Sequence, residues 1–186
     1  MNQAKIFGIG LSKTGTTSLA TALALLGYRA LHRVTDLTEI DELDAVTDEL
    51  ATIYPSLDAR YPRSKFILTT REQRSWLKSC AHHFRRPLPE DDPSYAAVMQ
   101  LYGTVEFDAE KFAAGYDRHQ REVTAYFQKR PGDLLILDVC GEGGWKSLCA
   151  FLNRPVPDAP FPRENASRSW ARLLRRLRRL LPATGS

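Results

Sequence analysis

Short apolar runs and longer amphipathic stretches alternate along this chain, and the alternation predicts its fold. Lys5–Gly10 (KIFGIG) is an apolar run entering a glycine turn, as a buried strand would, and Ser18–Leu26 (SLATALALL) is built of helix formers and stops at Gly27. Tyr28–His32 predicts a second strand. Asp48–Arg60 carries Leu50, Ile53, Tyr54 and Leu57 at the spacing of one helix face, closed by Pro62. Lys65–Thr70 (KFILTT) is β-branched and aromatic like a central strand, and Glu72–Phe84 returns to helix composition until Pro87 and Pro89. Beyond a loop at Arg85–Pro93, the series Phe112, Tyr116, His119, Val123 and Phe127 marks a long amphipathic helix ending near Pro131-Gly132. Leu134–Val139 (LLILDV) is a further strand, and Gly144–Leu152 (GWKSLCAFL) a last helix before a proline-rich segment.

Strands that alternate with helices imply an α/β fold: three α/β/α layers around a central parallel sheet, with ligands at the carboxyl ends of the strands. The functional loops are expected after Gly10, Thr70 and Val139. With 186 residues, 43% of them hydrophobic, the chain suits one ordinary domain, placed at residues 1–165.

Residues 166–186 are a separate basic tail. Trp170, Leu173, Leu174, Leu177, Leu180 and Leu181 fall on one helical face, with arginines largely on the other. Such a helix fits an anionic membrane surface and equally fits packing back on the domain. The tail also explains the charge. Seven arginines follow Pro162 against one acid, Glu164; the 26 bases and 22 acids of the whole chain without these leave 19 against 21, a net of −2. A body so balanced has no basic face to track a phosphate backbone, which argues against a nucleic-acid partner. Cys80, Cys140 and Cys149 have neither zinc-site spacing nor the even count of a disulfide framework, and the N-terminus lacks an export signal. The expected setting is cytoplasmic, peripheral on the inner membrane face if the tail binds lipid.

The chemistry concentrates at Gly10–Ser18 (GLSKTGTTS). Its glycines match the first two of G-x-x-x-x-G-K-[ST], but Thr16 stands where a nucleotide triphosphatase places lysine, and the lysine is at 13. Gly15 and the start of the following helix still form an anion cradle from backbone N–H groups. Thr16, Thr17 and Ser18 add hydroxyl donors, while an ammonium at 13 reaches the bridging oxygen of a transferring group, so no metal is required. A magnesium–ATP enzyme is the first rival reading. A dinucleotide fold is a second, opposed by Lys13 where G-x-G-x-x-G needs glycine. A third is a non-catalytic, membrane-associated nucleotide-binding module.

Lys13–Thr17 (KTGTT) resembles the 5′-phosphosulfate loop of the sulfotransferase family, K-[ST]-G-T-[ST] after the first strand. In that family an arginine ends a later strand, and a serine eight residues on joins it at the 3′-phosphate; here Arg71 follows KFILTT and Ser79 lies eight beyond. The similarity runs over roughly residues 4–165 and is strongest to a compact bacterial-type branch. It implies a P-loop-type fold and 3′-phosphoadenosine 5′-phosphosulfate as co-substrate. It further implies Lys13 as catalytic cation, and Ser12, Thr14, Gly15, Thr16, Thr17 and Ser18 with Arg71 and Ser79 as cofactor-binding residues. A late basic loop also covers the 3′-phosphate in the family; Arg163 could serve, without a distinctive motif. Relatives place the general base about two dozen residues before that arginine, which points to Asp48, then Asp44, with His32 as a third choice and a capping role for Asp48 as the alternative. The acceptor, a small molecule, lipid or sugar offering a hydroxyl ahead of an amine, is expected between the loop at 85–107 and the segment at 32–48. The oligomeric state is left open.

Overall fold

The structure is a computed structural model that describes residues 3–34, 36–48, 50–139 and 144–163. Five strands form one parallel sheet: β1 (Ile6–Gly8), β2 (Ala30–His32), β3 (Ala45–Thr47), β4 (Lys65–Thr70) and β5 (Leu134–Asp138), in the order β2-β3-β1-β4-β5. The helices are α1 (Thr16–Leu25), α2 (Tyr54–Arg60), α3 (Gln73–His83), α4 (Tyr95–Tyr102), α5 (Ala109–Phe127) and α6 (Gly144–Leu152). The expected three layers are present.

The side chains along each strand explain why both faces are covered. Ile6, Ala45 and Ile67 turn to one face and pack with Leu19 and Leu23 of α1 and Trp145 and Leu148 of α6. Their neighbours Phe7, Val46, Phe66 and Leu68 turn to the other, against Leu57 of α2 and Val123 and Phe127 of α5. A strand buried on both sides must be apolar at successive positions, which is the continuous pattern in the sequence. A third cluster, built on Trp76, Cys80, Phe84, Tyr102, Phe112 and Tyr116, joins α3, α4 and α5.

Two elements depart from the sequence reading. Ala45–Thr47 is a strand wholly buried between β1 and β2, so Asp48 follows a strand, and the helix expected from Asp48 starts only at Tyr54. Three residues are too short to show any periodicity. Inside the loop expected at 85–107, Tyr95–Tyr102 is α4, closed by Gly103 at φ 67°. The expected C-terminal helix and Cys140 lie outside the described residues. Cys80 and Cys149 are free and buried, and burial pushes the Cys80 thiol up to about 12. Among the described residues no helix is long and apolar enough to cross a membrane.

Candidate active site

Strand order turns about β1, with β3 on one side and β4 on the other, and the segments leaving the carboxyl ends of these strands meet in one crevice. The loop from β1 to α1 is tightly determined. A Cβ on Gly10 would lie 1.9 Å from Thr69 Oγ1, and one on Gly15, whose φ is +102°, would lie 1.9 Å from Val139 Cγ2. These two glycines let the loop press against the ends of β4 and β5.

Thr14 Oγ1 donates to the Leu11 carbonyl and contacts Thr69 Oγ1, each at 2.6 Å, so its hydroxyl serves the loop itself. Trp76 Nε1 donates to the Ser12 carbonyl at 2.9 Å. No side chain caps α1 at Gly15, so the first N–H groups of that ten-residue helix point into the loop, with the positive end of the helix dipole behind them. Such donors suit a phosphate oxygen. Lys13, at the loop's outer turn, takes φ +72°.

Asp48 gathers the other side of the site. It is 5% exposed and also left-handed, at φ +74°. Its carboxylate accepts from Ser12 Oγ at 3.2 Å and Thr16 Oγ1 at 3.4 Å, with His32 Nε2 at 3.5 Å and Arg33 at 3.7 Å. The Thr16 hydroxyl, one of the three expected to face a ligand, is therefore turned inward to Asp48, and Thr14 spends both its hydroxyl and its backbone N–H on the Leu11 carbonyl. Thr47 Oγ1 donates to the Thr16 carbonyl at 3.0 Å, so its lone pair accepts from His32 Nδ1 at 3.2 Å. His32 Nε2 pairs with Thr17 Oγ1 at 3.1 Å. Lys13, Arg33 and Asp48, none of them glycine, all hold left-handed backbone here, a conformation that costs of order 1 kcal/mol per residue and clusters at functional sites.

Arg71 leaves the end of β4 as expected. Its backbone is clamped by the Tyr116 hydroxyl, which accepts from Arg71 N and donates to Arg71 O. Its guanidinium donates to Ser75 Oγ at 3.1 Å and to the Lys13 carbonyl at 3.4 Å. Ser79 lies one turn beyond Ser75 on α3 and is half-buried. Ser75 is a partner the sequence reading missed; its position four residues after Arg71, on the same helical face as Ser79, was the available signal. Asp44 is not brought to this crevice. It precedes β3 at the amino end and is held by Arg29 through two guanidinium bonds, at 3.0 and 3.2 Å, which keep its carboxyl below the usual range.

Beside the loop opens a cleft of ≈ 190 Å³ lined by Gly10, Ser12, Arg33, His83, Asp92 and an apolar wall that includes Leu88, Val98, Leu101 and Tyr102. Its walls come from Arg33 and from segments within 85–107, where the acceptor was expected. His119, by contrast, is a core group: 3% exposed, its Nε2 donating to the Ile9 carbonyl at 2.8 Å.

A family model described as Sulfotransferase domain matches residues 5–42 and 38–170. The chain is also similar to a protein named Ava biosynthesis cluster protein M from Aspergillus versicolor, 25% identical over 85% of this chain and 79% of that protein.

Proposed function

The chain belongs to the sulfotransferase domain family, and on that footing we propose that it transfers a sulfo group from 3′-phosphoadenosine 5′-phosphosulfate, in line and without a metal, to a hydroxyl of a small acceptor. The observation that carries the reading is the 3.4 Å contact from the Arg71 guanidinium to the Lys13 carbonyl. It makes the two anion-binding features of the sequence neighbours at one crevice, as a nucleotide with a phosphate at each end of its ribose requires.

The donor set fits that co-substrate. Backbone N–H groups at Gly15, Thr16 and Thr17 and the dipole of α1 suit the 5′-phosphosulfate, and a planar guanidinium with the Ser79 hydroxyl nearby suits the 3′-phosphate. As the sulfo group moves to the acceptor, charge develops on the bridging oxygen, and the Lys13 ammonium stabilises it there. That ammonium fills the place a divalent cation takes in phosphoryl transfer. The acceptor belongs in the cleft beside Ser12, where a half-apolar lining suits a small organic body ahead of a bulky polymer. Buried free thiols agree with a cytoplasmic setting.

Calorimetry with adenosine 3′,5′-bisphosphate and with magnesium–ATP tests the reading. Binding of the bisphosphate in the presence of EDTA, markedly weakened in Arg71→Ala, is the expected result. Tight, magnesium-dependent ATP binding with no response to the bisphosphate would overturn it. Transfer of radiolabelled sulfate from the donor to mixed phenol, sugar and lipid acceptors, lost in Lys13→Ala, tests turnover.

A further inference from the structure

We propose that His83, at the mouth of the acceptor cleft, takes the proton from the acceptor hydroxyl, a role that rests on the sulfotransfer reading above. Four groups already surround the Asp48 carboxylate, Ser12, Thr16, His32 and Arg33, and Asp48 is not among the residues lining the cleft. Accepting a further proton would break contacts that hold the loop to β2 and β3. His32 is equally engaged, with Nδ1 toward Thr47 and Nε2 toward Thr17 and Asp48. Asp48 and His32 thus position the loop.

His83 differs on each count. It is the last residue of α3, it is exposed, and it lines the cleft together with Ser12 of the loop. It packs edge-on against the Phe84 ring at 4.7 Å, and among the described residues its ring nitrogens carry no hydrogen bond, so they are open to a ligand. An acceptor whose apolar part rests on Val98, Leu101 and Tyr102 can direct its hydroxyl between His83 and the loop. Exposure also gives the captured proton a route to water.

The charged surroundings suit a base. Partial desolvation, then the nearby Lys13, with Arg33 and His82, hold the imidazole below the ordinary histidine value against the opposing pull of Asp48. Asp92 faces the same cleft from the segment before α4. His83 is therefore neutral near pH 7, with a lone pair to offer. In the step, the acceptor oxygen forms a bond to sulfur as the S–O bond to the 5′-phosphate breaks. The electron pair of that bond stays on the phosphate oxygen beside Lys13, and the hydroxyl proton passes to a ring nitrogen of His83.

The test uses the full chain, wild type and His83→Gln, with 3′-phosphoadenosine 5′-phosphosulfate as donor. Phenol, 4-nitrophenol and 1-hexanol serve as acceptors, and donor hydrolysis as the reaction with water. The variant should bind adenosine 3′,5′-bisphosphate within about twofold of wild type, while kcat toward phenol falls on the order of 10²-fold and KM changes little. The acidic limb of the wild-type pH profile should vanish in the variant. With 4-nitrophenol, which ionises near neutral pH and needs no base, the loss should be far smaller. Turnover by wild type matched by the variant, or an equal loss with both phenols, would overturn the role of His83 and leave the sulfotransfer reading standing. Neither bisphosphate binding nor turnover in wild type would overturn both.

Discussion

The indole N–H of Trp76 donates to the Ser12 carbonyl at 2.9 Å, and the hydroxyl of the same serine donates to Asp48, so the turn before Lys13 is gripped by α3 on one side and by the end of β3 on the other. The first grip joins the third hydrophobic cluster directly to the anion loop, because Trp76 is fully buried there. Trp76→Phe keeps an aromatic ring but removes the donor and leaves the Ser12 carbonyl without it. A loss of about 1–3 kcal/mol is expected, read as a lower urea midpoint at unchanged m-value. Bisphosphate affinity should weaken along with it, since the turn loses one of the two bonds that hold Ser12. Unchanged affinity in a destabilised variant would separate the loop from the cluster beneath it.

Gly15 carries two constraints that a double variant can separate. Its φ of +102° disfavours any L side chain, and an added Cβ would lie 1.9 Å from Val139 Cγ2. Gly15→Ala should therefore be destabilised by several kcal/mol and lose bisphosphate binding in calorimetry. Gly15→Ala with Val139→Ala removes the clash and keeps the backbone strain. It should recover part of the stability, while the strained turn still binds bisphosphate at least about tenfold more weakly than wild type.

How much of this was legible beforehand depended on the length of each signal. Lys65–Thr70 and Gly144–Leu152 match the observed elements to the residue, since six and nine residues suffice to display their character. Ala45–Thr47 offers three residues between two acids, and its identity as a strand comes from its neighbours, not from its own pattern. Missing that strand moved Asp48 to a helix start in the sequence reading and made capping its alternative role. Lys13 and Arg71 were found because motif spacing is local. Their meeting across 58 positions of sequence, like the four groups around Asp48, exists only once β1, β3 and β4 lie side by side.

Burial sets the pH dependence of His119. Desolvation holds its imidazole below the ordinary value, outweighing the bond to the Ile9 carbonyl. The neutral form is thus favoured in the folded state. Above the unfolded pKa, near 6.5, both states carry a neutral ring and its contribution is complete. As pH falls below that value the unfolded chain takes up a proton first, and stability declines by at most about 1.4 kcal/mol per pH unit until the folded pKa is passed. His119→Gln retains an N–H for Ile9 and cannot titrate. Urea titrations from pH 7 to pH 5 should show a flatter dependence in the variant; parallel curves would assign the acid sensitivity elsewhere, to His83 for one, whose value is also depressed.

Ser75 tests how Arg71 is aimed. The guanidinium spends Nε on Ser75 Oγ at 3.1 Å and reaches the Lys13 carbonyl at 3.4 Å through its NH1 end, which leaves the opposite edge of the fork to an anion. Ser75→Ala frees the Nε end, and a side chain with several rotatable bonds then has more orientations to lose when it binds phosphate. Bisphosphate affinity should fall about three- to tenfold, by roughly 1 kcal/mol. In an Arg71→Ala background the same substitution should add nothing, because a residue that acts only through Arg71 has no arginine left to aim. Ser79→Ala supplies the contrast. A hydroxyl that contacts the phosphate directly should still cost affinity after Arg71 has been removed, so the two serines separate in one double-mutant cycle read by calorimetry.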